Sequence, residues 1–305
     1  MDKKFKLKIL LYHGVTSVKS KGIENISKKH IDINIFEKQM RYLNKYCSVL
    51  SIEEVVNLYS KKAKKTGEYF AVTFDDGFKN NFTNAFPILQ KYKIPAIFYI
   101  STGMINSKDL FWVDQIECCI NNSKKKKFTI NINRRNYTLN LNNRNNKAKA
   151  LFTIKKICKK LSKEKKDDII TSLKEKLEIE PSVRFSKNYE LLNWSDIRKM
   201  NKSKLIKFGA HTINHEILSY LSPKEMKKQI SLSINKLSKE LGEKVTHFSY
   251  PEGQKDHFDS SVIKYLKVRG IACSPSAISG VNDNNDDLFR LKRIMVGFEN
   301  MPFPK

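Results

Sequence analysis

The sequence predicts an α/β fold in which repeated βα units surround a mostly parallel sheet or barrel. Three observations predict it. Short β-branched and aromatic runs alternate with helix-period segments over most of the 305 residues. Some 40% of the residues are hydrophobic, enough for the core of one large or two modest domains and too many for a collagenous or disordered chain. No repeat of solenoid period interrupts the alternation.

In chain order, the β-branched and aromatic runs at residues 8–12, 69–74, 96–100, 206–210, 246–250, 270–273 and 293–296 read as seven strands. The segments between them space their apolar residues at three and four, and predict helices at 35–46, 52–60, 80–92, 195–201, 223–241 and 260–267. Ser222 before Pro223, with Glu225 at the third helical position, has the form of a capping box with proline in the first turn. One stretch breaks the rhythm. Residues 121–180 hold 18 Lys+Arg against six Asp+Glu, and the apolar spacing over 148–177 (Leu151, Ile154, Ile157, Leu161, Ile169, Ile170, Leu173, Leu177) predicts helices with a solvated basic face. We expect a single domain over 1–305 carrying this Lys-rich insertion at about 116–188.

The formal charge of +27 comes from 58 Lys+Arg against 31 Asp+Glu. Such an excess attracts polyanions, whether nucleic acid, an acidic glycan or an anionic membrane face. Only nine of the 58 are Arg, the residue favoured for bidentate phosphate recognition, and the abundance of Lys with Asn reads as compositional bias. A nucleic-acid partner is therefore not expected. The opening MDKKFKLKILLYHGV holds an apolar stretch too short for a spanning helix or a secretory core, so no export signal is expected and the location expected is cytoplasmic, with the inner membrane face as an alternative. Five scattered cysteines without a CxxC pair argue for a reducing compartment and against a thiolate metal site.

Chemistry concentrates at two motifs. The strand ending in Thr73-Phe74 runs into Asp75-Asp76-Gly77, two adjacent carboxylates where the chain leaves the sheet, which in βα folds is the reactive edge. Alone, Asp-Asp-Gly also describes a turn with a helix N-cap. His211-Thr212-Ile213-Asn214-His215 follows the 206–210 strand; histidines four apart on a helical turn can meet one ion, or simply hydrogen-bond. No carboxylate lies between them, unlike the HExxH zinc helix. The two motifs complete one another: one aspartate adds a third ligand, and the other can take a proton from water.

Together these motifs resemble the first two signatures of the polysaccharide deacetylases, the NodB-homology or carbohydrate esterase family 4 domain. The resemblance implies an irregular TIM-like (β/α)7 barrel, Asp75 as catalytic base, and Asp76, His211 and His215 as ligands of one divalent metal ion, zinc first, with cobalt or nickel as alternatives. Phe248-Ser249-Tyr250-Pro251-Glu252-Gly253 stands where the family has its third motif, placing Tyr250 and Pro251 at the substrate and a Glu252 backbone N–H at the oxyanion. That motif's arginine is missing, and Arg293, at the start of the last strand, is the substitute we assign to orient the base. The Leu-x-His signature expected near the C-terminus is absent there, but Leu11-Tyr12-His13 ends the first strand. This resembles the circularly permuted members, such as the poly-N-acetylglucosamine deacetylases, and makes His13 the general acid.

The expectation is metal-dependent removal of an N-acetyl group from an amino sugar, in a glycan or in a lipid-linked or nucleotide-linked precursor. O-acetyl ester or formyl chemistry at the same site is the alternative, and peripheral contact with an anionic membrane could accompany either. From another class, a non-catalytic basic polyanion-binding protein would leave the histidines structural. Trp112 and Trp194 could stack on sugars or pack in the core. His30, His247 and His257 read as ordinary surface or core residues.

Overall fold

A computed structural model describes residues 5–60, 66–297 and 303. In chain order the elements are β1 (Lys6–Tyr12), β2 (Gly14–Thr16), β3 (His30–Asp32), α1 (Ile33–Tyr46), β4 (Ser48–Val49), α2 (Ile52–Ser60), β5 (Glu68–Phe74), α3 (Phe86–Lys91), β6 (Ala96–Ile100), α4 (Trp112–Asn122), β7 (Lys127–Ile132), β8 (Arg135–Asn140), α5 (Arg144–Cys158), α6 (Lys163–Leu177), α7 (Trp194–Asn201), β9 (Ile206–Ala210), α8 (Pro223–Leu241), α9 (Ser260–Val268) and β10 (Ile294–Met295). They fall into two compact units. One comprises Met1–Ser17, Lys28–Asn106 and Leu191–Lys305; the other comprises Val18–Ser27 and Ser107–Glu190.

The first unit is built on a parallel sheet ordered β10-β1-β5-β6-β9, with β4 also paired to β5. Its strands are near-continuous apolar runs because both faces are covered, as parallel sheets require. Alternate residues serve opposite faces. Leu10, Tyr12, Val72, Phe74, Phe98 and Phe208 enter one core, while Leu7, Ile9, Ala71, Ile97 and Tyr99 enter another. Tyr12, Phe74, Phe98 and Phe208 stand opposite one another across four strands, with ring centroids 5.2, 4.5 and 5.9 Å apart. This aromatic row lies within the last three residues of each strand, so it braces the edge from which His13, Asp75 and His211 depart.

Helices begin where their caps dictate. Asp32 accepts the N–H groups of Asn34 and Ile35 ahead of α1, and Asn193 with Asp196 forms a capping box on α7. The Ser222 hydroxyl accepts from Glu225 N–H, and α8 ends at Gly242 in the left-handed conformation. The helix expected over 80–92 instead opens as a π-helical turn, Asn81–Ala85, in which Phe86 N–H reaches back five residues to the Asn81 carbonyl. Pro87 follows at the start of α3 and has no N–H to donate, which removes one of the bonds that would tighten this turn to α geometry.

Two expected strands are reduced to single parallel bridges, Ala210 with Phe248 and His247 with Cys273. Pro251 closes the first run, and Gly270, at φ +77°, delays the second. The last strand shrinks to β10 for a similar reason, since Gly297 leaves the extended region at φ +95°.

The basic segment at about 116–188 lies within the second unit. There α4, α5, α6 and an antiparallel hairpin of β7 and β8 enclose a separate core that includes Ile120, Phe128, Ile130, Leu151, Ile154 and Leu173. The hairpin is absent from the sequence expectations. Its turn residues, Asn133 and Arg134, both take positive φ (52° and 62°), as a type I′ turn demands, but arginine replaces the glycine that usually signals one. Among the described residues no helix is long and apolar enough to cross a membrane.

Candidate active site

His13 follows β1, Asp75 and Asp76 follow β5, and His211 follows β9, so the parallel register delivers four polar side chains to one edge of the sheet. The backbone there is unusual. Asp76 takes φ 78° ahead of Gly77 at 96°, and the histidine loop has Thr212 at 63° and His215 at 58°. Asparagine and aspartate tolerate this region, but a β-branched threonine does not adopt it without cost. The imidazoles therefore sit on a tight loop, not on the helical turn that their four-residue spacing suggests.

That loop is held from two sides. His211 N–H donates to the Ile100 carbonyl, Thr102 N–H to Thr212 O, and Gly103 N–H to Ile213 O, extending the β6 to β9 contact past the strand ends. A side chain on Gly103 would meet the Ile213 carbonyl at 2.8 Å and Ile213 Cγ2 at 2.5 Å. From α8, the buried Gln229 accepts both the Ile213 and Asn214 N–H groups on Oε1, at 3.1 and 3.2 Å.

The result is a compact donor set. One oxygen of Asp76 and one nitrogen each of His211 and His215 lie within 4.8 Å of one another, and the two Nε2 atoms stand 3.6 and 3.3 Å from Asp76 Oδ1. The ring of His211 has its tautomer fixed: Nδ1 lies 2.7 Å from the Ser249 carbonyl, which can only accept, so the proton is on Nδ1 and the lone pair on Nε2. Asp76 Oδ1 is buried and receives no well-aligned hydrogen bond. A buried carboxylate oxygen and an imidazole lone pair facing it fit a divalent cation.

The electrostatics follow from crowding. Burial alone would raise the Asp76 carboxyl, but the imidazoles of His215, His13 and His211 hold it far below the ordinary carboxylate range. Burial pushes His211 down to about 4 despite the two aspartates. Burial opposes protonation of His215 as well, yet the Asp76 carboxylate beside it leaves that imidazole raised.

Asp75 occupies a different setting. Arg293, fully buried, donates from Nη1 to Oδ1 at 2.9 Å and from Nη2 to Oδ2 at 2.7 Å. Its Nε donates to the Ser276 carbonyl, and its remaining bonds reach Thr73 Oγ1 and Ser249 Oγ. Burial would raise Asp75, but the guanidinium and then the His211 imidazole keep it ionised below its usual value. His13 has its carbonyl held by Asn81 Nδ2 at 2.7 Å, and its buried Nδ1 has no hydrogen-bond partner among the described residues. Burial lowers His13, with the carboxylates of Asp76 and Asp75 opposing.

Of the third motif, Glu252 takes φ 59° and its carboxylate contributes to raising His215, which places it beside the cluster. Tyr250 is committed to the core. Its ring stacks on Phe258 at 3.9 Å and its hydroxyl donates to the Phe289 carbonyl. Pro251 is buried between them in sequence. Trp194 is buried in the main core and Trp112 packs against the core of the second unit. His30 lies opposite Gly14 in the β2–β3 pair, with Nδ1 3.0 Å from Asn80 Nδ2, and His257 Nδ1 accepts from Gln254 N–H. Ser249, Thr73, Asn81 and Gln229 escaped sequence reasoning. Thr73 and Ser249 stand inside the motifs and Asn81 lies shortly after the first, so a role for each could have been suspected, but Gln229 lies on a helix whose pattern shows only burial.

A parallel α/β unit with an Asp–His–His cluster and an arginine-clamped aspartate at its C-terminal edge defines a class of hydrolase-like centres. Comparison narrows the class. The polysaccharide deacetylase family matches residues 62–273, and the chain belongs to that family. A 98-residue segment is 35% identical to the poly-beta-1,6-N-acetyl-D-glucosamine N-deacetylase of Staphylococcus aureus (strain MSSA476), covering 32% of this chain and 32% of that protein. The match thus spans about a third of the length of these curated relatives. The fold is similar to the Streptococcus pyogenes deacetylase PplD in complex with acetate, at TM-score 0.62 and 17% identity over 96% of this chain and 93% of that one. It is also similar to IcaB from Ammonifex degensii, at TM-score 0.61 and 18% identity, again over 96% and 93%.

Proposed function

We propose that this protein removes N-acetyl groups from an amino-sugar glycan of the poly-N-acetylglucosamine kind, using one divalent cation held by Asp76, His211 and His215. The observation that carries the reading is the convergence of those three ligand atoms beside Asp75, whose two oxygens are both fixed by Arg293. When bound, the cation would supply Lewis-acid polarisation of the acyl oxygen and a lowered water pKa, with zinc the first candidate and cobalt or nickel suited to the same donors.

The chain's own groups carry the remaining tasks. Asp75, kept as a carboxylate, accepts a proton from water as the water oxygen bonds to the acyl carbon. Arg293 orients that carboxylate. The Glu252 N–H, on a strained turn beside the cluster, donates to the developing oxyanion, a contribution that reaches about 3 to 4 kcal/mol for a preorganised donor. His13 gives its proton to the nitrogen as the C–N bond breaks, so acetate and a free amine leave. Its lowered pKa makes the imidazolium a stronger acid and reduces the protonated fraction, so turnover falls as pH rises past that pKa. We also read the bridged segments at 246–250 and 270–273 as further walls of an irregular (β/α)7 barrel, and the second unit as an insertion into the deacetylase domain.

The test is release of acetate from poly-β-1,6-N-acetylglucosamine oligomers by wild type, by chelated wild type and by Asp75→Asn. Turnover should vanish on chelation and return with zinc, while Asp75→Asn should keep its metal and lose nearly all turnover. Full activity of Asp75→Asn would remove the base assignment. Release only from O-acetylated or N-formylated sugars, or only from lipid-linked ones, would replace the substrate.

A further inference from the structure

The positive charge is not spread evenly. Residues 118–163 contain 14 Lys and Arg and no Asp or Glu, so this stretch of 46 residues carries 14 of the net 27 charges. The other 259 residues hold 44 basic and 31 acidic side chains. A uniform compositional bias would place several carboxylates in the segment, so the bias toward lysine does not explain their absence. Eleven of the 14 cations are exposed.

Helix α5 gives this segment a face. Ala150, Leu151, Ile154 and Cys158 are buried against the core of the second unit. The opposite stripe, at spacings of four, three and four residues, is Asn145, Lys149, Phe152 and Lys156, all exposed, with Lys155 and Lys159 flanking it. Phe152 is 48% exposed and is the one phenylalanine among the exposed large apolar side chains of the described residues. An aromatic side chain without a polar edge, on a helix that carries lysines on the same stripe and no carboxylate in its sequence, is poorly matched to water and well matched to the boundary between lipid headgroups and acyl chains.

We propose that the Phe152 face of α5 is a docking surface for an anionic lipid bilayer. Lysines attract the headgroups without demanding fixed geometry, whereas a nucleic-acid surface would favour arginine and several stacking rings. Of the cations on α5 only Arg144 is arginine, and Phe152 has no aromatic companion on its stripe. Phe152 adds a short-range apolar anchor once the charges have brought the surface close. The inference stands on the second unit alone and does not depend on the deacetylase reading.

The test is sedimentation of the full chain with phosphatidylcholine vesicles, with and without phosphatidylglycerol, across a salt series. Wild type should bind the phosphatidylglycerol vesicles, release them as salt rises, and ignore phosphatidylcholine. Lys149→Gln with Lys156→Gln should weaken binding about 30-fold at low salt, from about fivefold per lysine. Phe152→Ser should weaken it about five- to tenfold with the salt slope unchanged. Both variants remove exposed side chains, so an unaltered melting temperature shows that any loss belongs to the surface. Equal binding to both vesicle types, or none, overturns the proposal. So does tighter binding to a single-stranded oligonucleotide at the same salt that Phe152→Ser leaves intact, which would assign the face to nucleic acid.

Discussion

Replacing Gln229 by leucine tests how the ligand loop is held. The side chain is buried and of similar volume to leucine, so the substitution opens little cavity. What it removes is one oxygen that accepts two backbone N–H groups, those of Ile213 and Asn214. These bonds are partly buried, so leaving each donor unmet costs about 1 kcal/mol, roughly 2 kcal/mol together. The left-handed Thr212 stores a comparable amount, on the order of 1–3 kcal/mol, and relaxing it is the natural response of the loop. Relaxation displaces His211 and His215 on either side. We expect zinc affinity, measured by competition against a chromophoric chelator, to fall about 10- to 100-fold, as for other losses of support behind metal ligands. Gln229→Glu keeps the acceptor but opposes Glu225, whose Oε1 now receives the Gln229 amide at 3.3 Å. Gln229→Glu with Glu225→Gln reverses donor and acceptor and should recover most of the affinity. Wild-type zinc affinity in Gln229→Leu, with only a lowered melting temperature, would refute the reasoning and leave Gln229 a packing residue.

Two further outcomes follow from buried charge. Arg293→Met leaves the Asp75 carboxylate buried without its partner, a change that typically destabilises by about 3–5 kcal/mol. With the guanidinium gone, only the weaker pull of the His211 and His13 imidazoles opposes burial and the Asp75 pKa rises, so the acid limb of the pH–rate profile should move to higher pH; Arg293→Lys should restore part of both. An unmoved acid limb would separate Arg293 from the base. His247 is buried, its Nδ1 has no hydrogen-bond partner among the described residues, and burial, then Lys207, pushes it down to about 4. Between pH 6.5 and about 4 the unfolded chain takes up a proton that the folded chain refuses, so stability falls with pH, by about 3 kcal/mol at the limit. Urea unfolding of His247→Leu should show a shallower loss over that window than wild type, and parallel curves would contradict the assignment.

The helices were the most legible part of the sequence. α2 and α8 have the expected bounds because periodicity and caps agree. The central strands were legible for a different reason: two covered faces make β1, β5, β6 and β9 nearly all apolar. Where a single proline or positive-φ glycine decides the geometry, as at Pro87, Gly270 and Gly297, the pattern predicted regular structure that the backbone does not complete. At the site, the chemistry of Asp75, Asp76, His211 and His215 was visible as residue types. The means of bringing the imidazoles together was not, because spacing of four suggests a helix and says nothing of a loop held by Gly103 and Gln229. The clamp between Arg293 and Asp75 spans 218 residues, and no local pattern announces a bond of that separation; from the sequence, Arg293 is assigned to the base only through the family resemblance.

The most direct test is the number of metal equivalents retained after exhaustive dialysis of zinc-loaded protein, measured by inductively coupled plasma mass spectrometry. Wild type should retain close to one equivalent, and His211→Ala with His215→Ala close to none, with α-helical content unchanged by circular dichroism. An equal metal content in the two proteins would contradict the claim that these imidazoles and Asp76 hold the ion.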